Sequence, residues 1–196
     1  MSNIYPYEKL SWLMKGKRRY ILRMDGDEAK YLYDLVASLD NPYCVEIGRM
    51  EGGSVLLITY AGGRVFSLDL HISKTVAQGR GAHFDAYLKE VLNLVGLKDR
   101  AQIIVANSQK YDTSEFSNKV DILFIDGDHS YEGVKKDYEN WVDTVKPSGH
   151  ILFHDACRTR GGATLVPGVK KFVDTVPLKR INEIGSIVHF VKTKED

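Results

Sequence analysis

The chain has 196 residues, 43% hydrophobic and 27% charged, with a formal net charge of +1. That is enough for one domain with a buried core, and the balanced charge gives no one-signed field, so no nucleic-acid partner is expected. No apolar run is long enough to span a membrane, no signal peptide is expected, and two cysteines without metal-type spacing, Cys44 and Cys157, lead us to expect a reducing cytoplasm.

Residues 1–25 read as an N-terminal extension and 26–196 as a single domain. The cluster Lys15, Lys17, Arg18 and Arg19 reads as a solvated basic turn, and Trp12 as a packing residue. Asp25 and Glu28 open a helix as a D-x-x-E pair, and Ala29, Leu32, Leu35, Val36 and Leu39 recur at helical spacing until Asn41-Pro42. Tyr43 to Ile47 reads as the first buried strand. Val55 to Thr59 continue into a short helix ended by Ala61-Gly62-Gly63, and Arg64 to Leu70 is a second strand. After a polar stretch from His71 to His83, Phe84, Leu88, Val91, Leu92 and Val95 predict another helix.

Ala101 to Ala106 and Val120 to Ile125 are the third and fourth strands. The fourth is a nearly continuous apolar run, suited to a parallel strand buried on both faces. Tyr131, Val134, Tyr138, Trp141, Val142 and Val145 mark one helix face. Pro147-Ser148-Gly149 reads as a turn and His150 to Phe153 as a fifth strand. Val169, Phe172, Val173 and Val176 predict a last helix, and Leu178 to Ile184 with Ser186 to Val191 predict two strands joined at Gly185. Five strand–helix alternations imply an α/β fold with a mostly parallel sheet, and the terminal hairpin adds one antiparallel strand.

In open α/β sheets, ligands bind beyond the carboxyl ends of the strands. Those ends carry Glu46-Ile47-Gly48, Asp69, Asn107-Ser108, Asp126-Gly127-Asp128-His129 and His154-Asp155. The run from Val45 to Ser54 is a strand ending in an acid, then a glycine-rich turn with Gly48 and Gly52, then a helix start. It lets the backbone approach a nucleoside-like ligand. Asp69, 21 residues beyond Gly48, suits a two-pronged grip on ribose hydroxyls. A solvated loop aspartate or a helix cap is the plainer alternative. Met50 stands where a dinucleotide fingerprint has its middle glycine, which counts against a pyrophosphate cradle.

Asp126, Asp128, His129, His154 and Asp155 form a second constellation, at the ends of strands expected to be neighbours. Carboxylates together favour a hard divalent cation such as Mg²⁺, whereas imidazole shifts the preference toward transition metals. Asp126 and Asp155 are the principal candidate ligands. The cation would hold two adjacent substrate oxygens and lower the pKa of a bound hydroxyl. His129 is the candidate general base. The plainer reading makes Asp128 or Ser130 a helix cap and leaves His129 hydrogen-bonded in the turn. The basic loop from Arg158 to Gly162 reads either as a lid over an anionic substrate or as a surface connection.

Taken together, these motifs resemble class I S-adenosylmethionine-dependent methyltransferases, and more narrowly the methyltransferase 24 family, with a more distant likeness to catechol-type and antibiotic-sugar O-methyltransferases. The residues that carry the resemblance are Val45-Glu46-Ile47-Gly48 through Ser54, Ser67-Leu68-Asp69, the run from Phe124 to Val134, Val145 to Gly149, and Phe153-His154-Asp155. It covers roughly residues 40 to 193, with D-G-D-H-S-Y-E-G-V its most specific part. It implies a Rossmann-like sheet of seven strands with a C-terminal antiparallel hairpin. Glu46, Gly48, Gly52 and Ser54 would cradle the methionine portion of the cofactor, Asp69 the ribose, and Asn107 and Ser108 would lie near the adenine. Asp126 would serve among the cofactor-binding residues, in catalysis with His129, and as a metal ligand with His154 and Asp155. His154 departs from the carboxylate or amide of the metal-dependent relatives. The expected partner is a small-molecule methyl acceptor carrying a hydroxyl. An NAD(P)-dependent oxidoreductase and a non-catalytic cofactor-binding module are the rival classes, and a homo-oligomer is left open.

Overall fold

The computed structural model describes residues 22–71, 81–157, 159–160 and 163–193. The basic cluster, Trp12, most of the 1–25 extension and parts of the His71–His83 and Arg158–Gly162 stretches lie outside the described residues.

The strands are Tyr43–Ile47 (β1), Arg64–Asp69 (β2), Ala101–Val105 (β3), Val120–Ile125 (β4), Val145–Phe153 (β5), Thr159–Arg160 (β6), Ala163–Thr164 (β7), Lys179–Ile184 (β8) and Ile187–Val191 (β9). Seven of them form one sheet in the order β3-β2-β1-β4-β5-β9-β8. β1 to β5 run parallel, and β9 is antiparallel to both β5 and β8. This is the Rossmann-like arrangement that the resemblance implies. β6 and β7 pair as a separate small ribbon.

The helices are Gly26–Ala37 (α1), Gly53–Tyr60 (α2), Gly81–Leu94 (α3), Tyr131–Trp141 (α4) and Pro167–Val173 (α5). β4 is buried on both faces, to which its successive side chains point in turn. Ile122 and Phe124 pack on the side of α1 and α2, while Leu123 and Ile125 pack with Trp141 of α4 and Phe172 of α5. α2 is buried along its whole length, all eight residues, because α1 covers it on the side away from the sheet.

One boundary differs from the sequence reading. The fifth strand begins at Val145, and Pro147-Ser148-Gly149 is an irregularity inside it. Val120 pairs with Val145 but Ile122 pairs with His150, so Asp121 faces the looped-out residues. Lys146 Nζ donates to Asp121 Oδ1 at 2.7 Å, and Ser148 takes a positive φ of 66°. A turn-forming triplet can sit within a strand when one extra stretch bulges from it.

The chain goes outward from β1 through β2 to β3, then returns to lay β4 on the other side of β1. The carboxyl ends of β1 and β4 therefore border the crevice where strand order reverses, the usual ligand position in such sheets.

Candidate active site

A cavity of about 940 Å³ opens at that crevice. Its lining includes Gly48, Gly53, Ser54, Asp69, Asn107 and Ser108 around the glycine turn, and Asp126, His129, His154 and Asp155 beyond β4 and β5. Leu22, Arg23 and Met24, just before α1, form part of its wall.

The glycine turn is shaped by close backbone approach. Gly48 has φ +89°, and a Cβ there would lie 2.1 Å from the carbonyl oxygen of Asp126. Only glycine allows β1 and β4 to meet this way. Gly52 has φ +86°, and a Cβ there would lie 2.4 Å from Leu88 of α3. Gly52 is the N-cap of α2 and makes no side-chain cap bond. It faces α3, so it shapes the cradle without lining it.

Asp69 reaches back to this turn. Its Oδ2 accepts from the backbone N–H of Arg49 and of Met50, each at 2.8 Å, and Oδ1 accepts from His71 N at 2.5 Å. A carboxylate has about four lone-pair positions, so it keeps capacity for a ligand hydroxyl. Met50 itself takes φ +48°, close enough to the left-handed region for its N–H to turn toward Asp69.

Glu46 is fully buried behind the cavity wall. Ser67 Oγ donates to its Oε2 in a short hydrogen bond, and Oε1 has no hydrogen-bond partner. Burial pushes its carboxyl up to about 7, although the hydroxyls of Ser54 and Ser67 favour the charged form. Glu46 is thus held against Ser67 of β2 and is not among the residues that line the cavity.

Two further groups were not singled out from sequence. Arg49 is completely buried and holds Asp85 of α3 with Nε and Nη2, at 2.9 and 3.0 Å. Its Nη1 donates to the carbonyls of Ser67 at 3.0 Å and Ile104 at 3.3 Å, and Nη2 lies 3.1 Å from His71 Nε2. One guanidinium therefore ties the ends of β1, β2 and β3 to α3. Asp137 of α4 lines the cavity beside Ser108, whose Oγ donates to Asp137 Oδ1 at 2.6 Å. Burial pushes the Asp137 carboxyl up to about 6. Asn107 accepts from Gln109 N at 2.9 Å and so caps the short turn that holds Ser108.

At the other end the groups are side chains. One donor atom each from Asp126, His154 and Asp155 lies within 4.8 Å of the others, a spread that one divalent cation can bridge. Two carboxylates and an imidazole suit a first-row transition-metal ion, Mn²⁺ through Zn²⁺, better than they suit Mg²⁺. His154 Nδ1 lies 3.1 Å from Asp126 Oδ1, and its Nε2 lies 3.3 Å from Glu28 Oε2 of α1. Burial pulls the His154 imidazole down, but Asp126, Glu28 and Asp155 together push it up to about 10. His129 Nε2 is 3.5 Å from Asp126 Oδ1 and 3.7 Å from Asp155 Oδ2, with its side chain nearly half exposed to the cavity mouth. Asp126 raises its pKa above the ordinary value.

Ser130 is the cap of α4, its Oγ accepting from Gly133 N at 3.0 Å, and Asp128 Oδ1 accepts from Ser130 N at 2.8 Å. The capping role expected for one of this pair is therefore Ser130's, while Asp128 braces the turn. Asp128 lies at the cavity wall but outside the Asp126–His154–Asp155 group.

A family model described as a methyltransferase domain matches residues 45–156, more than half of the chain. The chain belongs to this methyltransferase family. The match begins at β1 and ends just beyond Asp155, so it contains the glycine turn and the Asp126 cluster but not α1. A stretch of 56 residues is 41% identical to the uncharacterized protein R132 of Acanthamoeba polyphaga mimivirus, covering 29% of this chain and 25% of that protein. The chain spans no more than a quarter of the length of the curated relatives it matches. Among solved structures, an O-methyltransferase from Bacillus cereus in complex with SAH is similar in fold, with a TM-score of 0.65 and 19% identity. That likeness covers 96% of this chain and 93% of the other. A SAM-dependent O-methyltransferase from Thermotoga maritima has a TM-score of 0.62 and 16% identity over 94% of this chain and 71% of its own. No helix among the described residues is long and apolar enough to cross a membrane.

Proposed function

We propose that this methyltransferase uses S-adenosylmethionine to methylate a hydroxyl of a small molecule. The observation that carries the reading is that a single cavity joins the glycine turn and Asp69 to the Asp126 cluster, so a methyl donor and an acceptor can meet in one chamber. The backbone from Gly48 to Ser54 would hold the methionine portion, Asp69 the ribose, and Asn107 and Ser108 the adenine edge with Asp137 behind them. The carboxylates that line the cavity, Asp69, Asp126 and Asp155 among them, tolerate the positive sulfonium.

In the step itself, the acceptor oxygen attacks the methyl carbon in line with the carbon–sulfur bond. That bond's electron pair passes to sulfur, leaving a neutral thioether, and the hydroxyl proton passes to a base. His129 and Asp126 stand at the acceptor end to receive it. Much of the rate comes from holding the oxygen on the line of attack. A divalent cation held by Asp126, His154 and Asp155 would supply Lewis-acid activation of the hydroxyl.

Isothermal titration calorimetry with S-adenosylhomocysteine and with NADH tests the cofactor. Micromolar binding of the first and none of the second is expected. Binding of NADH alone would replace the reading with that of an oxidoreductase. Cofactor binding with no turnover across a broad panel of hydroxyl acceptors would favour a binding module.

A further inference from the structure

Glu28 lies outside the segment matched by the family, yet its carboxylate is among the most constrained groups in the protein. It is 3% exposed. Oε1 accepts from Ser186 N at 2.5 Å, and Oε2 accepts from Asp25 N at 2.8 Å while facing His154 Nε2 at 3.3 Å. The hairpin turn between β8 and β9 approaches so closely that a Cβ on Gly185 would lie 2.5 Å from Glu28 Oε1.

The helix that carries Glu28 is itself fixed against the sheet. Tyr31 Oη lies 2.7 Å from His189 Nδ1 of β9, and His189 Nε2 lies 2.9 Å from His150 Nδ1 of β5. The Glu28 carboxylate thus has a hydrogen-bond partner on each oxygen, from Ser186 on one side and from Asp25 and His154 on the other.

A capping box alone needs a carboxylate turned toward its own helix start. Here the same group also spans to an imidazole 126 residues away. That imidazole turns its other nitrogen to Asp126, within the group whose donor atoms lie within 4.8 Å of one another. Ligating histidines usually donate their second ring N–H to a carboxylate, which sets the tautomer and the ring plane.

We propose that Glu28 is a positioning residue, the outer carboxylate of a carboxylate–histidine–cation arrangement. It accepts the Nε2 proton of His154 and leaves Nδ1, 3.1 Å from Asp126 Oδ1, to exchange its own proton for a divalent transition-metal cation. This rests on the methyltransferase reading for its purpose, because the cation would sit where the acceptor hydroxyl is activated, but not for its test.

The test is Mn²⁺ binding measured by calorimetry on the full chain, beside S-adenosylhomocysteine binding on the same samples. Glu28→Gln keeps the size of the side chain but not its charge, and is expected to weaken Mn²⁺ about 10- to 100-fold with S-adenosylhomocysteine affinity unchanged. Glu28→Asp keeps the charge but falls short of His154, and should show a loss in the same direction. Asp25→Ala, which removes the reciprocal cap and leaves the carboxylate, should lower the melting temperature without moving Mn²⁺ affinity. Mn²⁺ affinity in Glu28→Gln within twofold of the wild type overturns the assignment, as does a wild-type protein that binds no Mn²⁺. Failure of S-adenosylhomocysteine to bind the wild type would sink the methyl-donor reading instead, and the Mn²⁺ measurements would still decide the role of Glu28.

Discussion

At the glycine-turn end of the cavity the positioned groups are backbone amides, braced by Asp69 and by a buried Arg49–Asp85 pair. At the Asp126 end they are ionisable side chains facing one another: two carboxylates and two imidazoles, with Glu28 behind. Amides carry fixed dipoles that neither titrate nor change rotamer, so the first end suits a ligand that is always the same. Ionisable side chains change charge with protonation and partner, so the second end suits a group that must lose a proton. On the proposed function, recognition and chemistry divide along the line between β1 and β4.

Substitutions at each end should fail in different ways. The largest effect expected is from Asp126→Ala, which should cut methyl transfer by about 10³-fold. S-adenosylhomocysteine affinity, read by calorimetry, should stay near that of the wild type. Unchanged turnover would remove Asp126 from the mechanism.

Arg49→Met should act at the other end and on a different quantity. It leaves Asp85 buried without its cation, a loss of about 3–5 kcal/mol in unfolding free energy, with weakened cofactor binding because the turn loses its anchor to α3. Denaturant titration and calorimetry on the same protein measure both. A fully stable variant would show that the pair contributes little.

Glu46→Gln sharpens the comparison through pH. The carboxyl stands at about 7 in the fold against 4.5 for the ordinary group. Between those values the unfolded chain has released the proton while the folded chain keeps it, so this group lowers stability as pH rises from 4.5 to 7, by about 3 kcal/mol. The variant lacks that dependence. Its stability relative to wild type should therefore climb by about that amount from pH 4.5 to pH 8, and a flat difference would refute the assignment. The smallest effect is expected from Ser108→Ala, about 1 kcal/mol from one lost hydrogen bond to Asp137, visible as a small drop in melting temperature.

The sheet could be read from the chain because parallel strands buried on both faces leave long apolar runs, and β4 is such a run. The strand ends could be read because a polar residue closing an apolar strand has few other reasons to be there, as Asp69 and Asp126 show. The groups the sequence hid are those whose partners are distant. Glu28 looks complete as the second acid of a capping box, and nothing local points to His154. Arg49 sits inside a glycine turn with Asp85 36 residues away on another helix. Glu46 could be named as an acid near the turn, but which side of the wall it faces is decided by strand pairing: Ser67 stands opposite it in β2.

The complete enclosure of α2 bears on how the chain reaches its fold. A helix with eight buried residues and no polar face has nothing to hold it in water by itself. β1, just before it, has β4 as one neighbour, and β4 begins only at Val120. During synthesis, residues 53–60 therefore emerge well before that side of the sheet exists, as an apolar segment only partly covered. Until β4 closes the sheet, this apolar segment is therefore open to chaperone capture or to self-association.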